Sequence, residues 1–353
     1  VLHDGAEGTA GTANGANAGG AAGAGGGAVV AYTAAHTLTG TITAASDNEG
    51  DVTTAGGKLT VVGSIGSSSA DLDAVTLGHA GGLDIDGNLY AKDVVLNIAG
   101  AQLNFGGTAL QTVSAAISAG AGGTEDLTMG ANAIVTFKNY VGSNSAGTAN
   151  ALVDVTTSAG STVKFEKSVK AATLTLNATG TTTFEDAVTL TGALAVANGS
   201  TVTLGAGITA GETVFTSVTG GSSFTTAATV NLPQTFTSGV ITLVDDSGAT
   251  AAADALLLTL NSNVLANYSA AANASDTGKL DITATRKSSS AIASALGINA
   301  QAAVALDNAA TALATGDAVA LTALNTALVA GGTTAANATE QMVPDTGAGA
   351  AAA

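Results

Sequence analysis

The sequence contains no cysteine and no tryptophan, only 2 prolines, and 3% aromatic residues. Without cysteine, disulfides and thiolate metal sites are excluded. Without tryptophan, and with only 4 tyrosines, the aromatic platforms of a carbohydrate groove are scarce. Charged residues are 10% of the chain, far below the usual quarter or so. Bases are scarcer still: 9 against 26 acids, for a net charge of -17. That balance repels a phosphate backbone and excludes nucleic acid as a partner. It disfavours anionic membrane surfaces in the same way, and favours divalent cations and basic partners. No apolar run approaches the roughly 18 residues of a transmembrane helix.

Catalytic signatures are missing as well. The three histidines are His3, His36 and His79. None belongs to an H-E-x-x-H motif, and no G-x-S-x-G elbow is present. The Gly runs Gly25-Gly-Gly27 and Gly220-Gly221 lack the G-K-[ST] of a phosphate cradle. The expectation is that the chain is not an enzyme.

What is present is small and repetitive: 46% hydrophobic residues, drawn largely from Ala, Val and Leu, and 47 Gly. The chain is organised around two near-copies, Val163–Gly180 and Thr182–Gly199. Each carries a Phe (Phe165, Phe184) followed four places later by a Val (Val169, Val188), then a second alternating run and an Asn/Gly turn. The mark is apolar, any, apolar, three of any kind, apolar. It recurs as Leu59-Val61-Ile65, Leu83-Ile85-Leu89, Val135-Phe137-Val141 and Val202-Leu204-Ile208. Leu103-Phe105-Ala109 is a weaker copy. The steps from Phe165 to Phe184, Leu204 and Phe224 are 19, 20 and 20 residues, and Ile85 to Phe105 is also 20. Alternation by two places the apolar set on one side of each strand, and a fixed period of that length is the sign of a stacked solenoid. The predicted fold is therefore mainly β, a parallel β-helix with rungs of about 20 residues, with Phe137, Phe165 and Phe184 as an interior ladder. A Thr-rich all-β sandwich is the alternative. Ala119–Thr124 and Gly142–Asn150 read as loop insertions that interrupt the period.

Three regions are expected. Residues 1–27 are a Gly/Ala-rich arm of low complexity, which packs on its own domain or is ordered by a neighbouring copy. Residues 28–287 form the solenoid. Residues 288–353 are helical. There Asn299 is placed to cap a helix to about Thr315, and Asp317 to cap another with Val319, Leu321, Leu324 and Leu328 as its stripe. A short third turn runs from Thr339 to Val343.

That C-terminal order resembles bacterial autotransporters, type V secreted proteins. Asn299-Ala-Gln301, Gly316-Asp317-Ala-Val-Ala-Leu321-Thr-Ala-Leu324 and Glu340-Gln341-Met342-Val343-Pro344 carry the likeness. The rungs with LNFGGT and TFEDAV are similar in style to rickettsial-type surface autotransporters. The resemblance spans about the last 70 residues, Ile282–Asp345 most closely. It implies an exported passenger whose helical linker leads into a membrane β-barrel, here absent. The Val1 start implies that a leader was removed or the chain trimmed, and the absent barrel implies a passenger cut from it after the linker. It further implies an extracellular cell-surface location and a self-assembling role, as a surface-layer or fibre subunit whose partners are copies of itself. A monomeric adhesin for cell-surface glycans or a host receptor is the alternative, and a polysaccharide-acting enzyme a third.

Two sets of acids are candidate sites. Asp84, Asp86 and Asn88 offer oxygen ligands at alternating spacing, which suits calcium; Asp71-Leu-Asp73 is a second such run. Glu166 and Glu185 hold equivalent rung positions, so they stack as the paired carboxylates a glycosidase needs. Lys167 and Asp186 follow them.

Overall fold

The computed structural model describes residues 34–120, 124–143, 151–217, 221–224, 228–233, 235–246, 257–261, 263–313, 324 and 328. Within them the chain winds into a parallel β-solenoid of about seven turns, followed by two helices. The sandwich alternative is set aside, because coil stacks on coil through parallel strands. The arm at 1–27 and the turn at 339–343 lie outside the described residues.

Strict alternation builds each strand. In Thr181–Phe184, Thr182 and Phe184 are buried while Thr181 and Thr183 face outward. Each coil has three faces. On the first, Leu59, Leu83, Leu103, Leu127, Val155, Leu174 and Leu194 pair in succession and stack inside. The second face is a seven-stranded sheet from Leu110–Val113 to Leu258–Leu260. Its inner column includes Val113, Phe137, Phe165, Phe184 and Leu204. The third face stacks Val52, Val75, Val94, Ile117, Val141, Val169 and Val188. Apolar side chains therefore sit on apolar side chains in each of these three columns. One coil could not bury these side chains alone; its two neighbours do.

The phenylalanine ladder forms as the repeat predicts. Phe137 stacks on Phe165 with ring centroids 5.0 Å apart and planes 9° from parallel. Phe165 stacks on Phe184 at 5.4 Å and 10°. Phe105 and Phe215 close the ladder from other faces, edge-on at 5.5 Å and 5.2 Å.

Two expected steps prove to change face. Phe105 pairs with Met129 on the first face, while Phe137 lies on the second. The gap between the two phenylalanines is thus one coil plus one face, and it does not require an insertion at Ala119–Thr124. Likewise Phe224 pairs with Val196 on the first face, whereas Leu204 lies on the second. The apolar mark is shared by two different corners: Leu59-Val61-Ile65 turns out of the first face, and Val163-Phe165-Val169 turns out of the second. The insertion at Gly142–Asn150 does stand. Val141 pairs with Val169 and Leu152 with Ala171, so eleven positions in one coil answer two in the next.

The last strands reverse. Lys279–Arg286 runs antiparallel to both Gly239–Asp246 and Ala266–Ala272. Two helices follow, α1 (Ser289–Leu296) and α2 (Ala300–Leu313), at 108° to one another. The Ser288 side chain caps α1, accepting from the Ala291 amide, and Gly297 ends it at φ 69°. Asn299 caps α2 as expected, its Oδ1 accepting from the Ala302 amide at 2.8 Å. Leu265, Ile292, Leu296 and Leu306 form a second, separate core, which Leu324 and Leu328 of the predicted stripe join. Among the described residues no single helix is long and apolar enough to cross a membrane.

Candidate binding surface

A solenoid shows its outward residues as columns, one residue per coil, with strands about 4.8 Å apart. The chemistry of a face is therefore the chemistry of two or three columns.

On the second face both columns are mostly threonine. One runs Leu110, Ile134, Thr162, Thr181, Thr201, Thr229, Thr259. The other runs Thr112, Thr136, Lys164, Thr183, Thr203, Asn231. Threonine is β-branched and suits a flat pleated surface. Lys164 is the one charge among these positions, and its ammonium turns to the corner. There it meets Glu185 Oε1 at 3.0 Å and Glu166 Oε1 at 3.6 Å. Partial burial disfavours the charge, but the two carboxylates outweigh it and hold the Lys164 pKa above the usual lysine value.

The two glutamates are thus brought together, as their equivalent rung positions predict, with a lysine between them. Asp186 is turned to its own corner, where Oδ1 accepts from the Ala187 amide at 2.7 Å. A general acid must hold a proton and point it at substrate. Two carboxylates joined through one lysine are arranged as a stabilising charge cluster instead.

The first face is more acidic. Asp84 lies in the strand Leu83–Ile85, where Lys58 Nζ meets its Oδ2 at 2.6 Å and Asn104 donates to its Oδ1 at 2.8 Å. Asn88 accepts from the Thr112 amide of the next coil at 2.7 Å, and its own amide donates to Ser64 Oγ at 3.0 Å. Asp86 lies at the corner beside Gly106 and Gly107. The candidate calcium ligands are therefore spread over a strand and a corner, and two of the three already have protein partners. Among the described residues no three His, Asp or Glu side chains cluster as a metal site. In the other acidic run, Lys92 reaches Asp73 at 3.3 Å. Burial, and then the charge of Asp47, push the Asp71 carboxyl above its usual range.

Asp126 and Asp154 form a contact that spacing alone does not reveal, paired directly in adjacent coils. Burial first, then the charges of Asp154 and Glu125, raise the Asp126 pKa. His79 serves its own turn, with Nδ1 accepting from the Gly81 amide at 2.9 Å. His3 lies outside the described residues.

No protein-family model, curated protein or solved structure compared with this chain matches it.

Proposed function

We propose that this chain is the passenger of a bacterial autotransporter, a non-catalytic, self-assembling protein of the cell exterior, such as a surface-layer or fibre subunit. One observation carries the reading. The stretch that resembles the passenger-to-linker boundary, Ile282–Asp345, begins within the last solenoid strand and continues into α1 and α2. The fold therefore changes from coil to helix where the resemblance puts that change. The surface is consistent with such a role: flat, periodic, and on one face almost without charge. Calcium enters this reading only as a bridge between copies, since Asp84 and Asn88 have partners within the chain.

The test is electron microscopy of the concentrated protein, with and without a calcium chelator. Ordered sheets or fibres are expected in both conditions. Arrays that dissolve on chelation would assign the acidic runs to calcium. A dispersed monomer in both conditions would overturn self-assembly and favour an adhesin, with the insertion between Val141 and Leu152 as the place to look for its receptor site.

A further inference from the structure

We infer that the second face, with its two threonine columns, is where one copy of this chain docks on another. The inference rests on the self-assembling reading above and adds the surface to it. The partner is a second copy for three reasons.

The first reason is charge. At -17, two copies repel one another wherever their acids meet. The first face carries Asp84, Asp126 and Asp154, and apposing two of those would add to the repulsion. In its two outward columns the second face carries Lys164 alone, which meets the two carboxylates of Glu166 and Glu185 at the corner. It is the face that two like-charged copies can bring together at least cost.

The second reason is exposed apolar surface. Leu110 is 63% exposed, the highest value among the exposed large hydrophobics of the described residues. It stands in the same column as the threonines and pairs with Ile134. With the half-buried Ile134 beside it, Leu110 lends that end of the face apolar area that a second copy would cover.

The third reason is geometry. The described C-terminal strands are antiparallel and are followed by helices. A second solenoid does not continue the parallel coils through those strands, which turns growth toward a face. A face on which threonine recurs at most coils can meet its own copy turned over by a two-fold axis. Threonine methyls then meet methyls, and hydroxyls can hydrogen-bond across.

The size of the contact sets its strength. Seven strands, about 4.8 Å apart and about 13 Å long at ~3.3 Å per residue, give a face of roughly 400 Å². A stable pair buries about 800 Å² per partner. Dilute protein is therefore monomeric, and pairing through this face shows only at high local density.

The absence of cysteine makes the test clean. Single variants Thr183→Cys and Thr203→Cys on the second face are compared with Thr128→Cys on the first and Thr76→Cys on the third, under mild oxidation across a concentration series. We expect the second-face cysteines to give disulfide-linked dimers roughly tenfold faster than the others once assembly begins, because docking raises their effective concentration. In parallel, Thr183→Glu with Thr203→Glu should abolish assembly while Thr128→Glu leaves it intact. Assembly with faster cross-linking from Thr128→Cys or Thr76→Cys would overturn the chosen face and leave the self-assembling reading standing. Monomer at every concentration, with equal slow cross-linking from all four, would overturn both.

Discussion

At the scale of single residues, each coil presses its backbone against the next. Gly82 shows the cost of that closeness. Its φ is +69°, and a Cβ there would lie 1.8 Å from the Gln102 carbonyl oxygen of the following coil. Backbone cannot step aside, and φ itself is in the region that favours glycine. Gly82→Ala is expected to cost at least about 2 kcal/mol, measured as a lower denaturation midpoint. At Gly205 a Cβ would meet the Glu185 carboxylate, which can swing aside at the cost of its ion pair with Lys164, so Gly205→Ala should cost less. The interior hydroxyls make a second contrast. Thr157 Oγ1 is buried with no hydrogen-bond partner among the described residues, in an inward column between Met129 and Leu176. Ser200 Oγ, also buried, donates to the carbonyls of Leu176 and Asn177 at 3.1 Å and 2.8 Å. Thr157→Val should therefore stabilise by about 1 kcal/mol, and Ser200→Ala destabilise by a similar amount. Opposite shifts in the urea midpoint would confirm this; equal signs would show that the hydroxyls do not decide the matter.

Charge at this scale sets a pH dependence. The Asp126 pKa lies above 3.8 in the fold because of burial and the neighbouring Asp154. A raised carboxyl favours its protonated form in the folded state. Its stabilising contribution is complete below about 3.8 and is lost as pH rises through the folded-state value. At neutral pH the ionised Asp126 is thus a small liability. Asp126→Asn should stabilise the fold at pH 7 by no more than about half a kcal/mol given its solvent exposure, seen as a higher melting temperature. The advantage should vanish in melts below pH 3.8, the unshifted value.

At the scale of the elements, the strands and the Phe ladder were legible in the sequence, and the phase between them was not. Alternation alone reveals which side of a strand is buried, and Phe165 and Phe184 show it 19 residues apart. What alternation cannot reveal is which corner follows. The same apolar mark leads out of the first face at Val61 and out of the second at Phe165, so a step of about one coil can hide a change of face, as at Phe224. The charged contacts were legible only in part. Glu166 and Glu185 could be stacked from their near-identical repeats, but Lys164 between them has Thr183 as its counterpart and carried no signal. Asp126 and Asp154 lie 28 residues apart, across the insertion, and no fixed period brings them together. The ladder itself is the element most sensitive to change. Phe165 is buried and stacked on both sides. Phe165→Ala should cost about 3–5 kcal/mol, and Phe165→Leu markedly less. Equal losses for both in thermal melts would mean that the ring stacking, and not the buried volume, carries the stability of the ladder.

At the scale of the whole molecule, a solenoid is close to one-dimensional: each coil contacts its neighbours, and stability is a chain of interfaces. The helical cap fits that description as a separate unit, because its core of Leu265, Ile292, Leu296 and Leu306 is distinct from the interior columns. Arg286 is among the side chains that link the two. Arg286, at the end of the last strand, places Nε 2.8 Å from Asp307 Oδ1 as an ion pair, and its guanidinium donates to Thr311 Oγ1 at 2.7 Å. Both ion-pair partners are partly exposed, so the link contributes about 1 kcal/mol. Arg286→Ala should therefore release the cap without loosening the coils. In hydrogen exchange followed by mass spectrometry, amides of α2 should exchange roughly fivefold faster, as about 1 kcal/mol dictates, while those of Thr162–Phe165 and Thr181–Phe184 keep their protection. Equal acceleration along the whole chain would instead mean that cap and solenoid unfold as one unit. In that case nearest-neighbour coupling would extend over the full stack, and changes at one end would be felt at the threonine face.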